Sequence, residues 1–213
     1  MARILPPKCK LCRRAGEKLF LKGDRCSTPK CAMVRRAYPP GAHGTKKGRR
    51  PRSEFGEQLA MKQKVKRIYG ILEKQLKKYF QEVKNKPGIT GDMLMQRLEM
   101  RFDNVVFRAG FSRSRSFARQ LVRHSFFLVN GKSVNIPSFA VRIGDVVRIK
   151  ESKKNTEYVK QLAEEKKGEQ LTGHPKWLNV SPEKFEIEVR ERPTREDFGI
   201  GVDAQMVVEF YSR

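Results

Sequence analysis

Four cysteines, Cys9, Cys12, Cys26 and Cys31, are all the thiols of a 213-residue chain, and they lie within its first 31 residues. The two-residue gap between Cys9 and Cys12 lets both sulfurs approach one cation from a single turn. Cys26 and Cys31 can close a tetrahedron from across the loop, where Gly16 and Gly23 supply turns. Lys8, Lys10, Arg13, Arg14, Arg25 and Lys30 flank the sulfurs, and their field favours thiolate and offsets the charge of a four-thiolate site. Four protein ligands leave no open position, so the metal would fold the segment rather than catalyse. Zinc suits tetrahedral sulfur; an iron–sulfur cluster takes the same ligands. Two disulfides or unligated thiols are the alternatives, and a reducing compartment disfavours the first.

The next stretch, "VRRAYPPGAHGTKKGRRPR" from Val34 to Arg52, has seven Lys/Arg and no acid. Pro39-Pro40-Gly41 excludes helix and keeps the backbone open to close approach. Tyr38 and His43 stand among the cations Arg35, Arg36, Lys46, Lys47, Arg49 and Arg50, an arrangement suited to packing on bases and sugars while holding phosphates. A disordered basic linker is the bland reading. Attachment to a rigid knuckle favours an ordered RNA-contacting arm, to which Lys22 in the head adds. His43 is not expected to ligate metal, since four sulfurs satisfy the ion.

Charge widens the argument beyond the head. The net charge is +24. Residues 1–50 hold 15 Lys/Arg against 2 Asp/Glu, residues 51–150 hold 21 against 8, and residues 151–213 hold 11 against 13. The excess therefore lies wholly in the first 150 residues, as a surface facing a polyanion requires. No apolar run spans a membrane and the start "MARILPPK" lacks the apolar core of a signal peptide, so a cytoplasmic chain with nucleic acid as partner is expected.

Periodicity supplies the elements that must position these cations. Ser53, Glu54 and Glu57 read as an N-cap and first turn. From there Leu59, Val65, Ile68, Leu72, Leu76, Phe80 and Val83 form one apolar stripe, predicting a single long helix to about Asn85. Its other faces carry Lys62, Lys64, Lys66 and Arg67, of which Lys62, Lys66 and Arg67 are candidate RNA contacts. Thr90 and Asp92 cap a second helical stretch through Leu94, Leu98, Phe102, Val105 and Val106. A short helix over about Arg113 to His124 is predicted to bury Phe117, Leu121 and Val122 and to present Arg113, Arg115, Arg119 and Arg123 outward. Ser112, Ser114, His124 and Lys132 complete that candidate face. "FFLVNGKSV" predicts a hairpin turning at Asn130-Gly131, and "IGDVVRIK" a further strand. Beyond it come a charged helix or helical linker with little apolar surface, a strand around Phe185, Ile187 and Val189 near Trp177, and a strand in "AQMVVEFYSR"; this tail is expected to return to the helical body, with Trp177 in the core or at a protein contact. The expected class is α+β: a mostly helical body with a metal knuckle, plus two short helices packed on a small twisted sheet.

The residues Arg101-Phe102-Asp103-Asn104-Val105-Val106-Phe107-Arg108, the helix "SRSRSFARQLVRH" and the hairpin "VNGKSVNIPS" resemble the small RNA-binding domain named after the fourth small-subunit ribosomal protein. The resemblance extends over the whole chain to that bacterial ribosomal family, through the four-cysteine head, "YPPGAHG", "KQKVKRIYGILEKQ" and "VVEFYSR". Ala42 departs from the glutamine of many relatives. The resemblance implies a head and arm over 1–45, a helical body over 46–98 joined by 168–213, and the RNA-binding domain over 99–163. It further implies early binding to the 5′ domain of 16S rRNA, a place beside the path by which mRNA enters, neighbouring small-subunit proteins three and five, and an influence on decoding accuracy.

No catalytic constellation emerges. His43, His124 and His174 stand alone, no phosphate-loop glycine pattern occurs, and the cysteines are assigned to metal. The alternatives to a structural rRNA-binding protein are an RNA-modifying accessory protein with the same domain, as in pseudouridine synthases, and a zinc-containing DNA-binding regulator. The first lacks length for a catalytic domain; the second lacks finger repeats.

Overall fold

The computed structural model of the protein describes residues 6–45, 51–168, 174–182, 184–198 and 201–213. In chain order the elements are α1 (Lys8–Ala15), a 3-10 turn (Gly23–Cys26), α2 (Ala32–Arg35), α3 (Glu54–Ile68), α4 (Glu73–Lys84), α5 (Thr90–Glu99), α6 (Phe102–Arg108) and α7 (Arg115–Arg123). There follow β1 (Phe127–Val129), β2 (Lys132–Ser133), β3 (Val146–Ile149), α8 (Glu151–Lys154), α9 (Glu157–Gly168), β4 (Leu178–Ser181), β5 (Glu186–Val189), a 3-10 turn (Arg195–Asp197) and α10 (Ala204–Ser212). The class is mixed helix and sheet, as expected. The chain divides into two compact units, Met1–Met95 with Gly199–Arg213, and Gln96–Phe198.

In the first unit Ser53 caps α3 by accepting from the Gly56 N–H. The single long helix expected from the apolar stripe is in fact two. Gly70 sits at φ +62°, and the amides of Gly70 and Ile71 return to the carbonyls of Arg67 and Lys66. That is a left-handed cap of the Schellman type, and it stops α3 although the hydrophobic period continues. The core gathers Val65, Ile68, Tyr69, Leu76, Tyr79, Phe80 and Val83 with Leu94 and Val207. Val207 belongs to α10, where the sequence predicts a strand. Asp203 caps this helix by accepting from the Gln205 and Met206 amides. Val207, Phe210 and Tyr211 then share a helical face, a spacing that "AQMVVEFYSR" satisfies as well as alternation does.

In the second unit the sheet has order β2-β1-β3-β5-β4 and every pairing is antiparallel. Val129 pairs with Lys132 across Asn130 (φ +48°) and Gly131 (φ +78°), the hairpin that Asn-Gly predicts. The helix expected to continue through Val106 breaks at Met100-Arg101, where Arg101 is extended and bridges Ala140. Two expectations about the tail fail. Residues 178–189 do not return to the helical body: β5 pairs with β3, and Ile187 and Val189 bury beside Val147 and Ile149. Each such side chain contributes about 1.5–3 kcal/mol when removed from water, and this sheet offers the open edge. The charged helix α9 is also core-facing, through Val159 and Leu162. Trp177 is buried in the same cluster, as expected.

Candidate nucleic-acid interface

The second unit builds its basic face on a buried polar frame at the start of the expected domain. Glu99, fully buried, accepts from Asn104 Nδ2 (2.6 Å) and from both ends of the Arg108 guanidinium (2.7 and 2.9 Å). Asp103, also buried, pairs with Arg101 (3.0 Å) and with Arg119 of α7 (2.6 Å). Arg115 Nε donates to Asn104 Oδ1 at 2.8 Å, and its guanidinium lies 4.5 Å from the Phe107 ring centre. α7 is thus fastened to α6 at two points by charged hydrogen bonds, which are shorter and stronger than neutral ones.

This frame corrects the expected outward row of four arginines. Arg113 and Arg123 are exposed, together with His124 and Lys132, whereas Arg115 and Arg119 are half-buried and face α6. No acid stands near them in sequence; their partners Asn104 and Asp103 come from the preceding helix. Ser112 and Ser114 are buried, and Ser114 caps α7 by accepting from the Phe117 amide. These serines position the loop rather than line a surface. Glu99, Asp103 and Asn104 are the residues missing from the expected site. Their signal is polar groups standing inside an otherwise apolar run.

The first unit carries the head. Lys10, Arg14, Lys22, Arg25, Lys30, Arg35 and Arg36 are exposed, Lys8 half-buried. Arg13 binds the arm: its guanidinium donates to the Tyr38 carbonyl (2.8 Å) and the Pro39 carbonyl (3.2 Å) and covers the Tyr38 ring at 4.7 Å. Tyr38 and His43 are otherwise exposed, and the Arg13 contacts tie the start of this loop to α1. Lys46, Lys47, Arg49 and Arg50 lie outside the described residues.

Two candidates on α3 are not surface cations. Lys62 is buried, its ammonium 2.8 Å from Glu73 and 4.1 Å from the Phe210 ring centre. Lys66 reaches the other oxygen of Glu73 at 3.1 Å. Tyr211 donates to that carboxylate at 2.7 Å. Burial works to raise the Glu73 carboxyl, but the hydrogen bonds from Lys62, Tyr211 and Lys66 outweigh it and hold it at about 2. Burial first, and the hydrogen bond to Glu73 next, push the Tyr211 phenol up. Arg67 remains half-exposed.

All four cysteines line one cavity of about 20 Å³ with Leu21, Lys22 and Met33, room for one ion-sized sphere. Burial pushes the Cys12 thiol up; a backbone hydrogen bond at Leu19 opposes this, and Cys26, Cys9 and Cys31 add to it. The donor chemistry fits a soft tetrahedral ion, but among the described residues no three Cys, His, Asp or Glu side chains converge closely enough to form a finished metal site. Also among the described residues, no helix is long and apolar enough to cross a membrane.

Residues 3–99 match the family model for the ribosomal protein S4/S9 N-terminal domain, and residues 100–147 match the S4 domain. The chain is 53% identical to the small ribosomal subunit protein uS4 of Halothermothrix orenii, over the full length of both. It is 50% identical to uS4A of Clostridium novyi and 48% to uS4 of Thermus thermophilus, again over the whole of each chain.

Proposed function

The chain belongs to the uS4 family of small ribosomal subunit proteins, and from that premise we propose that it is a structural rRNA-binding protein of the small subunit, not an enzyme. The observation that carries this reading is the set of cations of the S4 domain, with Arg113, Arg123 and Lys132 exposed and α7 held to α6 by the Arg119–Asp103 ion pair and the Arg115–Asn104 hydrogen bond. Rigid cations lose less entropy when they meet phosphates, and such contacts supply most of the affinity for nucleic acid. Full-length identity to small-subunit proteins favours this reading over an RNA-modifying accessory protein or a zinc-containing regulator. Binding to a 5′-domain fragment of 16S rRNA, against an unrelated RNA of equal length, tests it. Equal affinity for both would refute it.

The finer role is early assembly on that 5′ domain, beside the path by which mRNA enters and next to small-subunit proteins three and five. Its support is the charge division: the last 63 residues carry 11 cations against 13 acids, a balance suited to protein neighbours. Cys9, Cys12, Cys26 and Cys31 would hold one zinc ion, which would draw the four sulfurs together and stabilise the head. Tetrahedral sulfur suits zinc, and an iron–sulfur cluster would take the same four ligands. Elemental analysis of the purified protein should find zinc, and Cys9→Ser with Cys12→Ser should remove it and disorder the head. Purified protein without any metal would overturn this.

A further inference from the structure

Within the first unit, α1 and α3 border an open groove of about 480 Å³ that the function above does not use. That volume falls in the range of about 300–1,000 Å³ typical of ligand clefts. Its floor is carbon, from Leu59, Ala60, Met61 and Met206, and its cationic wall is Arg14, Arg52 and Arg67. Of the acids beside it, Glu17 is already paired with Lys64 at 2.7 Å, leaving Glu57 exposed on the rim. Among the described residues no carboxylate pairs with Arg14 or Arg67. A half-buried guanidinium sharing a groove with a second guanidinium, with no carboxylate paired to either, is a position that a bound anion would favour.

We infer that this groove takes one phosphodiester of the rRNA backbone, gripped jointly by Arg14 of α1 and Arg67 of α3. The inference rests on the rRNA-binding reading and adds to it a defined contact away from the S4 domain. Two guanidinium forks match the oxygens of one phosphate, and the apolar floor suits the attached sugar or base. The groove joins the cysteine-bearing helix to the helical body, so one phosphate would register both on the RNA.

The test uses the full-length protein and the 5′-domain rRNA fragment, with Lys74→Gln/Lys77→Gln on the exposed face of α4 as a matched charge control. Arg14→Gln should weaken binding by about tenfold or more relative to that control, as loss of a charged hydrogen bond implies. The Arg14→Gln/Arg67→Gln pair should lower the log–log salt slope by about 1, the mark of one shared phosphate. Arg67→Lys keeps the charge and the fold but loses the fork, and should also bind more weakly at an unchanged melting temperature. Control-like binding by Arg14→Gln and Arg67→Lys, while the wild type binds rRNA, overturns the groove alone. Failure of the wild type to prefer this rRNA removes both readings. A slope change of about 2 for the pair overturns the shared grip. Competition by micromolar inorganic phosphate would make this a free-anion site and overturn the RNA assignment.

Discussion

At the scale of single residues, similar arginines on one short helix have different work. Arg119 neutralises the buried Asp103, while Arg113 and Arg123 face solvent. Arg113→Glu with Arg123→Glu should leave the melting temperature nearly unchanged and weaken rRNA binding strongly, because two attractions become repulsions. Arg119→Glu should instead destabilise the fold by about 3–5 kcal/mol, since it sets a second acid against a buried one. Thermal melts and a filter-binding titration separate the two; equal melts would refute the division of roles. Glu73 gives a pH prediction. Its folded value, about 2, lies below the ordinary glutamate value of about 4.3. The stability it contributes is therefore complete above about pH 4.3 and is lost as pH falls toward 2. Glu73→Gln should flatten the acid side of the stability profile in that window, and should lower stability at neutral pH by leaving Lys62 buried without its partner.

Among the elements, α10 does most for its size. Its Val207 is fully buried, Phe210 and Tyr211 surround the Lys62–Glu73 pair, and Tyr211 stacks on Phe80 at 5.1 Å. Tyr211→Phe keeps the ring and removes one hydrogen bond to a carboxylate, so it should cost about 1.5–3 kcal/mol in a chemical melt. A change below a few tenths would show that the phenol is dispensable. The break between α3 and α4 rests on Gly70 at φ +62°, a conformation that costs a residue with a side chain about 1–2 kcal/mol. Gly70→Ala should show that cost without altering helix content by circular dichroism.

For the whole molecule, the two units differ in how the chain completes them. Gln96–Phe198 is one continuous stretch with its own core, whereas the other unit needs both chain ends. A fragment of residues 96–198 should unfold in one cooperative transition, while residues 1–95 without 199–213 should lose the packing of Val207 and melt without cooperativity. Calorimetry of both fragments decides this. Intact protein should bind rRNA with a salt slope of magnitude about 5 or more, given cations in both units.

The sequence by itself determined what depends on neighbours in the chain and on composition. The Ser53 cap, the Asn130-Gly131 hairpin, the buried Trp177 and the polyanion-facing charge excess all rest on local chemistry or on summed charge. Tertiary structure alone decided which cations were available. Lys62, Lys66, Arg115 and Arg119 look like their exposed neighbours until Glu73, Asn104 and Asp103 are brought beside them. It also decided that β4 and β5 extend the sheet and that residues 204–212 form a helix. The reason is physical: a side chain's partner is set by distance in space, and short apolar segments of either period go where an open edge or groove can bury them.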